Sequence, residues 1–388
     1  MAYVLSERMD RLQPSPIREI LSVAGDANMI SFAGGLPAEC CMPSFAPGDM
    51  HRADLQYGPT EGEPWLRERI AEDLRARGIS ASADNVLVLS GSQQGIDLVA
   101  KLIIDKDTPV AVESPTYLAA LQSFSLFGAR YCPFQINTLE DSLSNETPGL
   151  LYVNPTFQNP TGYCYTREER MRLARYCDDK RVLLFEDDPY RDLVYDACER
   201  EPVVSMVRHT SWIYQSSFSK TVAPGLRLGY LACSPDLFPH LVKLKQAADL
   251  HSSRVSQRLV ARLLDHANET SRVTELQQHY RYKRDRFNDA LVRHFSSQAS
   301  WQVPAGGLFF WLKLATARPA RTLEWLSEAV SQGVTFMPGE PFFANTCHAS
   351  GYIRLNFSHT ATEQFDEGLS RLASLVSRKL ALAGAAEI

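Results

Sequence analysis

The sequence predicts an α/β protein, with a large doubly wound, mostly parallel sheet followed by a smaller α+β unit. Three observations carry this. From about Asp54 to Leu244, short apolar runs alternate with stretches of helical periodicity, the pattern of a sheet covered by helices on both faces. Several of these runs are apolar without alternation, as strands buried on both sides must be. A polar, arginine-rich stretch from about Ser256 to Phe295, with Leu259, Leu263 and Leu264 at helical spacing, then leads to a second set of strands.

The runs end in chemically distinctive segments. Val86-Leu87-Val88-Leu89 passes into Ser90-Gly91-Ser92-Gln93-Gln94 and then into a helical pattern at Ile96, Leu98, Val99 and Leu102. Small residues opening a helix expose backbone N–H groups, and the helix dipole favours an anion there by roughly 0.3–1 kcal/mol. The run from Gly149 to Val153 ends in Asn154-Pro155-Thr156-Phe157-Gln158-Asn159-Pro160-Thr161-Gly162. The run from Arg181 to Phe185 ends in Glu186-Asp187-Asp188-Pro189-Tyr190. Carboxylates at the carboxyl edge of a parallel sheet face the crevice where such sheets bind ligands.

Trp212-Ile213-Tyr214 delivers Lys220 into Ser216-Ser217-Phe218-Ser219-Lys220, with Thr221, Pro224, Gly225 and Arg227 behind it. An amine that attacks a carbonyl must be neutral part of the time, which needs desolvation or a cationic neighbour. Lysine among hydroxyls with an arginine nearby reads as a carbonyl-condensing lysine beside a phosphate cup, the arrangement that holds pyridoxal phosphate. Taken alone, the segment fits a surface lysine in a Ser-rich turn as well.

Further on, Gly307 to Leu312 is expected as a strand, Thr322 to Val330 as a helix, Val334 to Met337 and Tyr352 to Leu355 as two strands, and about Glu363 to Leu382 as the last helix. Composition excludes several classes. Of 388 residues, 45% are hydrophobic and 22% charged, ordinary globular usage for about two domains. A net charge of −5 exerts no pull on nucleic acid or membrane. No apolar run approaches the ~18 residues of a membrane span, and Met1 to Arg8 lacks a signal-peptide pattern, so a cytoplasmic location is expected. Eight cysteines include the adjacent Cys40 and Cys41 but no Cys-x-x-Cys pair, which indicates neither a zinc site nor a disulfide framework.

Taken together, Ser31-Phe32-Ala33-Gly34-Gly35-Leu36-Pro37, Tyr57-Gly58-Pro59-Thr60-Glu61-Gly62, Gly91-Ser92-Gln93-Gln94, Phe157 to Gly162, Glu186 to Tyr190, the Lys220 segment, Pro338-Gly339-Glu340-Pro341-Phe342-Phe343 and Ile353-Arg354-Leu355 resemble the fold-type I aminotransferases of class I/II. The likeness runs through nearly the whole chain, and the branch it resembles most is that of the 2-aminoadipate and kynurenine aminotransferases. It implies pyridoxal 5′-phosphate as cofactor, held covalently by Lys220.

The same resemblance implies the remaining roles. Asp187 is similar to the partner of the pyridine nitrogen; Asp188 is not separated from it by charge, but the three-residue step to Tyr190 favours Asp187. Tyr190 and Asn159 would hydrogen-bond the phenolic oxygen, although Asn159 before Pro160 also reads as a turn residue. Ser92, Gln93, Ser217, Ser219 and Arg227 match the phosphate site, where the arginine fork suits a phosphate. Tyr117 corresponds to the ring that stacks on the pyridine, though an aromatic after a strand is also ordinary core. Tyr57 matches a tyrosine that reaches the phosphate of a neighbouring subunit, implying a homodimer with shared sites. Arg354 is similar to the clamp on the substrate α-carboxylate, and an arginine within an apolar strand is costly to bury without such a partner. Asn159 and the Gly35 backbone would complete that grip. Arg18 matches an arginine for acidic side chains, and reads equally as a solvated residue opening a helix.

Residues 1–45 are expected to join the small domain formed by 286–388, with 46–285 as the large cofactor-binding domain. The connection from Asn137 to Gly149 is shorter than the resemblance leads one to expect. The implied function is transfer of the amino group of an L-amino acid to a 2-oxo acid, with 2-oxoglutarate as the expected acceptor and a broad or 2-aminoadipate-like donor range. A pyridoxal-dependent lyase, decarboxylase or cyclising synthase would keep the same cofactor residues. A pyridoxal-binding transcription regulator would need a DNA-binding domain ahead of Ser31, for which little room remains. Gly-x-Gly-x-x-Gly and Gly-x-Ser-x-Gly turns are absent, against a dinucleotide-dependent dehydrogenase or serine hydrolase.

Overall fold

The computed structural model describes residues 4–12, 29–44, 52–264, 269–316, 319–345 and 349–385; Arg18 lies outside them. In chain order the main elements are β1 (Ile30–Ser31), α1 (Pro64–Ala76), β2 (Val86–Leu89), α2 (Ser92–Ile103), β3 (Pro109–Glu113), α3 (Leu118–Phe127), β4 (Arg130–Phe134), α4 (Leu139–Ser142), β5 (Leu150–Val153), α5 (Arg167–Lys180), β6 (Leu183–Asp187), β7 (Trp212–Ser217) and β8 (Gly229–Cys233). They continue with α6 (Phe238–Asp249), α7 (Arg254–Leu264), α8 (Glu269–Phe295), β9 (Ala299–Ser300), β10 (Phe309–Leu314), α9 (Leu326–Ser331), β11 (Val334–Thr335), β12 (Met337–Pro338), β13 (Tyr352–Asn356) and α10 (Phe365–Ala385).

Seven strands form the large sheet in the order β2-β8-β7-β6-β5-β3-β4. All pairings are parallel except the two that β8 makes, with β2 and β7. Every residue of β2, β5, β6 and β8 is buried, the physical basis of their unbroken apolar runs. Alternate side chains enter separate cores: Val86, Val88, Leu151, Leu184 and Tyr214 on one face, and Leu87, Leu89, Leu150, Phe185 and Ile213 on the other. Position Arg181, expected within strand β6, instead ends α5 in a left-handed conformation. The short α4 fills the abbreviated connection between β4 and β5.

The second unit is built on the antiparallel sheet β12-β13-β10-β9. The segment Val334 to Met337, expected as one strand, is divided. Its first half, β11, pairs in parallel with β1, and its second half, β12, pairs with β13. Phe336 sits fully buried between them, so one apolar run serves two sheets. The expected helix from Thr322 begins as a 3-10 turn, Thr322–Trp325, before becoming α9. The β1 pairing, and an Asn356 N–H donating to the Phe32 carbonyl at 2.7 Å, tie residues 30–32 to this unit. Helix α8 is continuous through residue 285, and its side chains from Leu276 to Phe295 pack in the second core with Phe310, Phe357 and Phe365. The expected division at 285/286 therefore falls within one helix. Among the described residues no helix is long and apolar enough to cross a membrane.

Candidate active site

The carboxyl ends of β6 and β7 and the N-terminus of α2 open onto a cavity of about 270 Å³, lined by Ser92, Gln93, Tyr117, Asn154, Asn159, Asp187, Pro189, Tyr190, Ser217, Ser219, Lys220 and Arg227. Ten of the residues singled out in the sequence therefore meet in one place. A larger cavity of about 540 Å³, bordered by Glu113, Gln158, Trp301 and Trp311 among others, shares no lining residue with it and presents neither lysine nor arginine. Only the smaller one has the cations that a phosphate and a carboxylate require.

Strand β7 carries Lys220 in on a turn whose first hydroxyl is fixed, Ser217 Oγ accepting the Ser219 N–H at 3.1 Å. The Lys220 amine donates to the Gly35 carbonyl at 3.0 Å and lies 6.0 Å from the centre of the Tyr190 ring. Burial, reinforced by the positive charges of Arg354 and Arg227, lowers its pKa to about 8. Close to neutral pH a useful fraction is thus the free amine, as a nucleophile and proton carrier needs.

Asp187 and Asp188, adjacent in sequence, are separated by strand geometry, since successive side chains point to opposite faces. Asp187 faces the cavity, its carboxylate accepting from Tyr152 Oη at 2.7 Å and Gln215 Nε2 at 3.0 Å. Asp188 turns away, accepting from Tyr214 Oη at 3.0 Å with Arg191 3.8 Å off, and it is absent from the cavity wall. Burial pushes the Asp187 pKa up to about 6 against the two hydrogen bonds. A buried carboxylate in that state gains by facing a cation. Gly95 makes this arrangement possible, because any Cβ there would collide with Gln215 Oε1.

At the other end of the cavity, Gly91 precedes α2 with φ +81°, and a Cβ on it would lie 2.5 Å from an Arg227 guanidinium nitrogen. The arginine thus rests against the helix N-terminus beside Ser92 and Gln93. Among the described residues it forms an ion pair with no carboxylate, its one bond being a long contact to the Pro224 carbonyl at 3.4 Å. A guanidinium without a counter-ion beside a helix N-terminus and three serines is a donor set for a phosphate.

Arg354, in β13, is 3% exposed. It donates to Asn159 Oδ1 at 2.7 Å and to the Ala33 carbonyl at 2.6 Å, while its buried Nε has no partner. Phe309 and Phe342 lie against its faces, with centroids at 4.2 and 5.1 Å. Burial lowers its pKa to about 10. Among the described residues no carboxylate pairs with it, leaving an arginine short of one bond and one counter-charge beside the lysine.

A family model described as aminotransferase class I and II matches residues 27–372. The chain belongs to the class I and II aminotransferases. It is 34% identical over 96% of both chains to a 2-aminoadipate transaminase of Thermus thermophilus. To an aromatic-amino-acid aminotransferase of Thermococcus litoralis it is 32% identical, over 97% of this chain and 94% of that one. Among solved structures, the α-aminoadipate aminotransferase LysN of Thermus thermophilus, complexed with N-(5′-phosphopyridoxyl)-L-leucine, superposes with a TM-score of 0.88 at 32% identity, covering 97% of this chain and 98% of that one. The fold is fold-type I and the cofactor of this aminotransferase is pyridoxal phosphate, which the donor set described above fits.

Not every expected residue of the aminotransferase enters the cavity. Tyr57 is 76% exposed and its ring meets that of His251 edge-on, outside the cavity wall. Gly35 reaches the site through its carbonyl, which the Lys220 amine takes; the Arg354 guanidinium bonds the Ala33 carbonyl instead. Tyr190 is buried within hydrogen-bond reach of Asn159, and burial raises its phenol pKa.

Residues without an assigned role from the sequence also shape the site. Asn154 donates through Nδ2 to the Asp187 carbonyl and accepts the Asn159 N–H at 3.0 Å, tying the acid to the Asn159–Arg354 pair. Buried Glu113 holds Asn154 in turn, accepting its N–H at 2.8 Å and the Tyr165 hydroxyl at 2.7 Å. The asparagine before Pro155, at a strand end, was the available signal. Tyr152 and Gln215 lay inside apolar runs, where a polar side chain is the only mark of a role.

Proposed function

We propose that this aminotransferase moves the amino group of an L-amino acid, from a broad range that includes 2-aminoadipate-like donors, to 2-oxoglutarate. The observation that carries the reading is Arg354, a buried guanidinium with an open bond, close enough to Lys220 for its charge to act on the amine. Similarity to the Thermus 2-aminoadipate transaminase and the Thermococcus aromatic-amino-acid aminotransferase supports the donor range.

Pyridoxal phosphate, when bound, supplies a carbonyl that exchanges with the amino group and a ring that accepts the electron pair released at the substrate α-carbon. The chain's residues do the rest. Arg227 neutralises the phosphate, with Ser92, Gln93, Ser217 and Ser219 supplying uncharged donors. Asp187 keeps a proton on the ring nitrogen, and Tyr152 and Gln215 hold the carboxylate in place. Tyr117 would cover one face of the ring, and Tyr190 and Asn159 would bond its phenolic oxygen. Arg354 and Asn159 take the α-carboxylate, which orients the α-carbon toward Lys220 Nζ. Lys220, neutral for part of the time, would take up the α-proton at Nζ and then give it up to the cofactor.

The active unit is a homodimer in the cytoplasm, in which Tyr57 completes the phosphate site of the partner. Residues 1–45 and 286–388 belong to the small domain and most of 46–285 to the large one, with α8 running across the boundary. Incubating the purified enzyme with 2-oxoglutarate and a panel of acidic, aliphatic and aromatic L-amino acids, with both glutamate and the keto product measured, tests the reading. Release of carbon dioxide or ammonia in place of glutamate would move the protein to the decarboxylases or lyases.

A further inference from the structure

Outside the active site, the 3-10 turn Glu39–Cys41 brings two thiols against the first half of α8. Cys40 Sγ lies 4.0 Å from Cys41 Sγ and 3.9 Å from His279 Nε2, and all three ligand atoms fall within 4.8 Å of one another. A tetrahedral zinc ion with sulfurs at about 2.3 Å and an imidazole nitrogen at about 2.05 Å sets S···S near ~3.8 Å and S···N near ~3.5 Å. The two Cys40 separations exceed these by only a few tenths of an ångström, and the Cys41 to His279 separation is at most 4.8 Å. The turn is already anchored, because Tyr280 Oη accepts the Ala38 N–H at 2.9 Å. Cys40 is exposed, which gives an ion a way in and leaves the fourth coordination position to water.

We propose that Cys40, Cys41 and His279 form a site for a thiophilic divalent cation, zinc being the first choice for an S₂N donor set. Sequence spacing does not reveal it, because His279 is 239 residues from Cys40. Binding replaces two S–H bonds by Zn–S bonds and leaves the imidazole neutral, so two protons pass to the buffer and the dithiolate–zinc centre carries no net charge. The charged group facing it is Lys283, whose ammonium donates to the Ser358 and Thr360 carbonyls at 2.6 and 2.7 Å. Because binding releases protons from the two thiols, affinity rises with pH.

The consequence is mechanical. The chain that leads to this turn contributes the Ala33 and Gly35 carbonyls held by Arg354 and Lys220, and Ser358 Oγ bonds the Leu36 carbonyl at 2.7 Å. A metal bridge to α8 would clip this active-site segment at its far end.

The test uses chelator-washed, cofactor-loaded enzyme titrated with Zn²⁺ alone against a chromogenic chelator. One equivalent per chain is expected, together with release of close to two protons. Cys40→Ser and His279→Ala should each weaken binding by ~10-fold or more, and Cys198→Ser should leave it unchanged. Zinc should also protect Cys40 and Cys41 of the unaltered enzyme from iodoacetamide, mapped by mass spectrometry, a readout that does not depend on a variant folding. Absence of stoichiometric binding, affinity unchanged in Cys40→Ser and His279→Ala, or equal alkylation with and without zinc would each overturn the proposal.

Discussion

Replacing Asp187 by asparagine separates the roles of the two adjacent acids most sharply, because the structure gives opposite signs for stability and activity. Burial raises the Asp187 pKa from 3.8 to about 6. That shift corresponds to ~3 kcal/mol, at about 1.4 kcal/mol per unit, by which the buried anion disfavours the cofactor-free fold above pH 6. The folded group holds its proton more tightly than the unfolded one. Stability from the bound proton is therefore full below pH ~4 and is lost as pH rises through about 6. Asp187→Asn removes that loss, so the cofactor-free variant should melt higher than the parent at pH 8 and lose the advantage near pH 4. For a chain of this size, ~3 kcal/mol translates to about 4 °C; the real gain will be smaller, since the new amide nitrogen meets a donor at Tyr152 or Gln215. Transamination by the same variant should fall by ~10³-fold, as when a preorganised charge opposite a developing one is lost. Asp188→Asn should lower the melting temperature at pH 8, since Asp188 accepts from Tyr214 and faces Arg191. Calorimetry at pH 4 and 8 with and without cofactor, beside steady-state rates, decides. Equal melting behaviour of parent and Asp187→Asn at both pH values, with activity retained, would refute the assignment.

Lys220→Ala should abolish the cofactor adduct that borohydride fixes to the chain; in the parent, covalent uptake by cofactor-free protein should speed up with pH and level off above about 8, and an adduct trapped on another lysine would count against this. Arg354→Ala should raise KM for all donors together, by ~10–100-fold for a lost charge-assisted pair. Arg18→Ala should slow turnover of 2-aminoadipate and glutamate while sparing leucine and aromatic donors, and an unchanged ratio of acidic to apolar turnover would return Arg18 to a solvated role. Mixing Tyr57→Phe and Lys220→Ala chains should regenerate some activity through intact sites in heterodimers, whereas a fully active monomer by sedimentation would exclude a shared site.

Much of the fold was legible because buried parallel strands leave unbroken apolar runs, and because each run ends in the residues that face the crevice. Val86–Leu89 leaves the same mark although its pairing with β8 is antiparallel, because it too is buried on both faces: the strand, its Gly91 turn and the helix after it follow from local pattern. The run Val334 to Met337 is the opposite case. Nothing local says that it must break at Phe336, since the break comes from two partners, β1 and β13, claiming its halves.

The sequence by itself determined the fold class and the family, because a strand-end lysine, an acid burst, a helix-opening glycine and several other short motifs occur together and in order along the chain. Spacing to Tyr190 favoured Asp187 over Asp188, and the tertiary structure decided that Asp187 is the one facing the cavity, because that depends on the sheet face and on Tyr152, Gln215 and Gly95 packed behind it. It also decided that Arg354 meets Asn159 and Ala33, 195 and 321 positions away, and that two adjacent cysteines meet a histidine on α8. Contacts between distant segments arise only when separate apolar faces are buried together, and no periodicity along the chain records them.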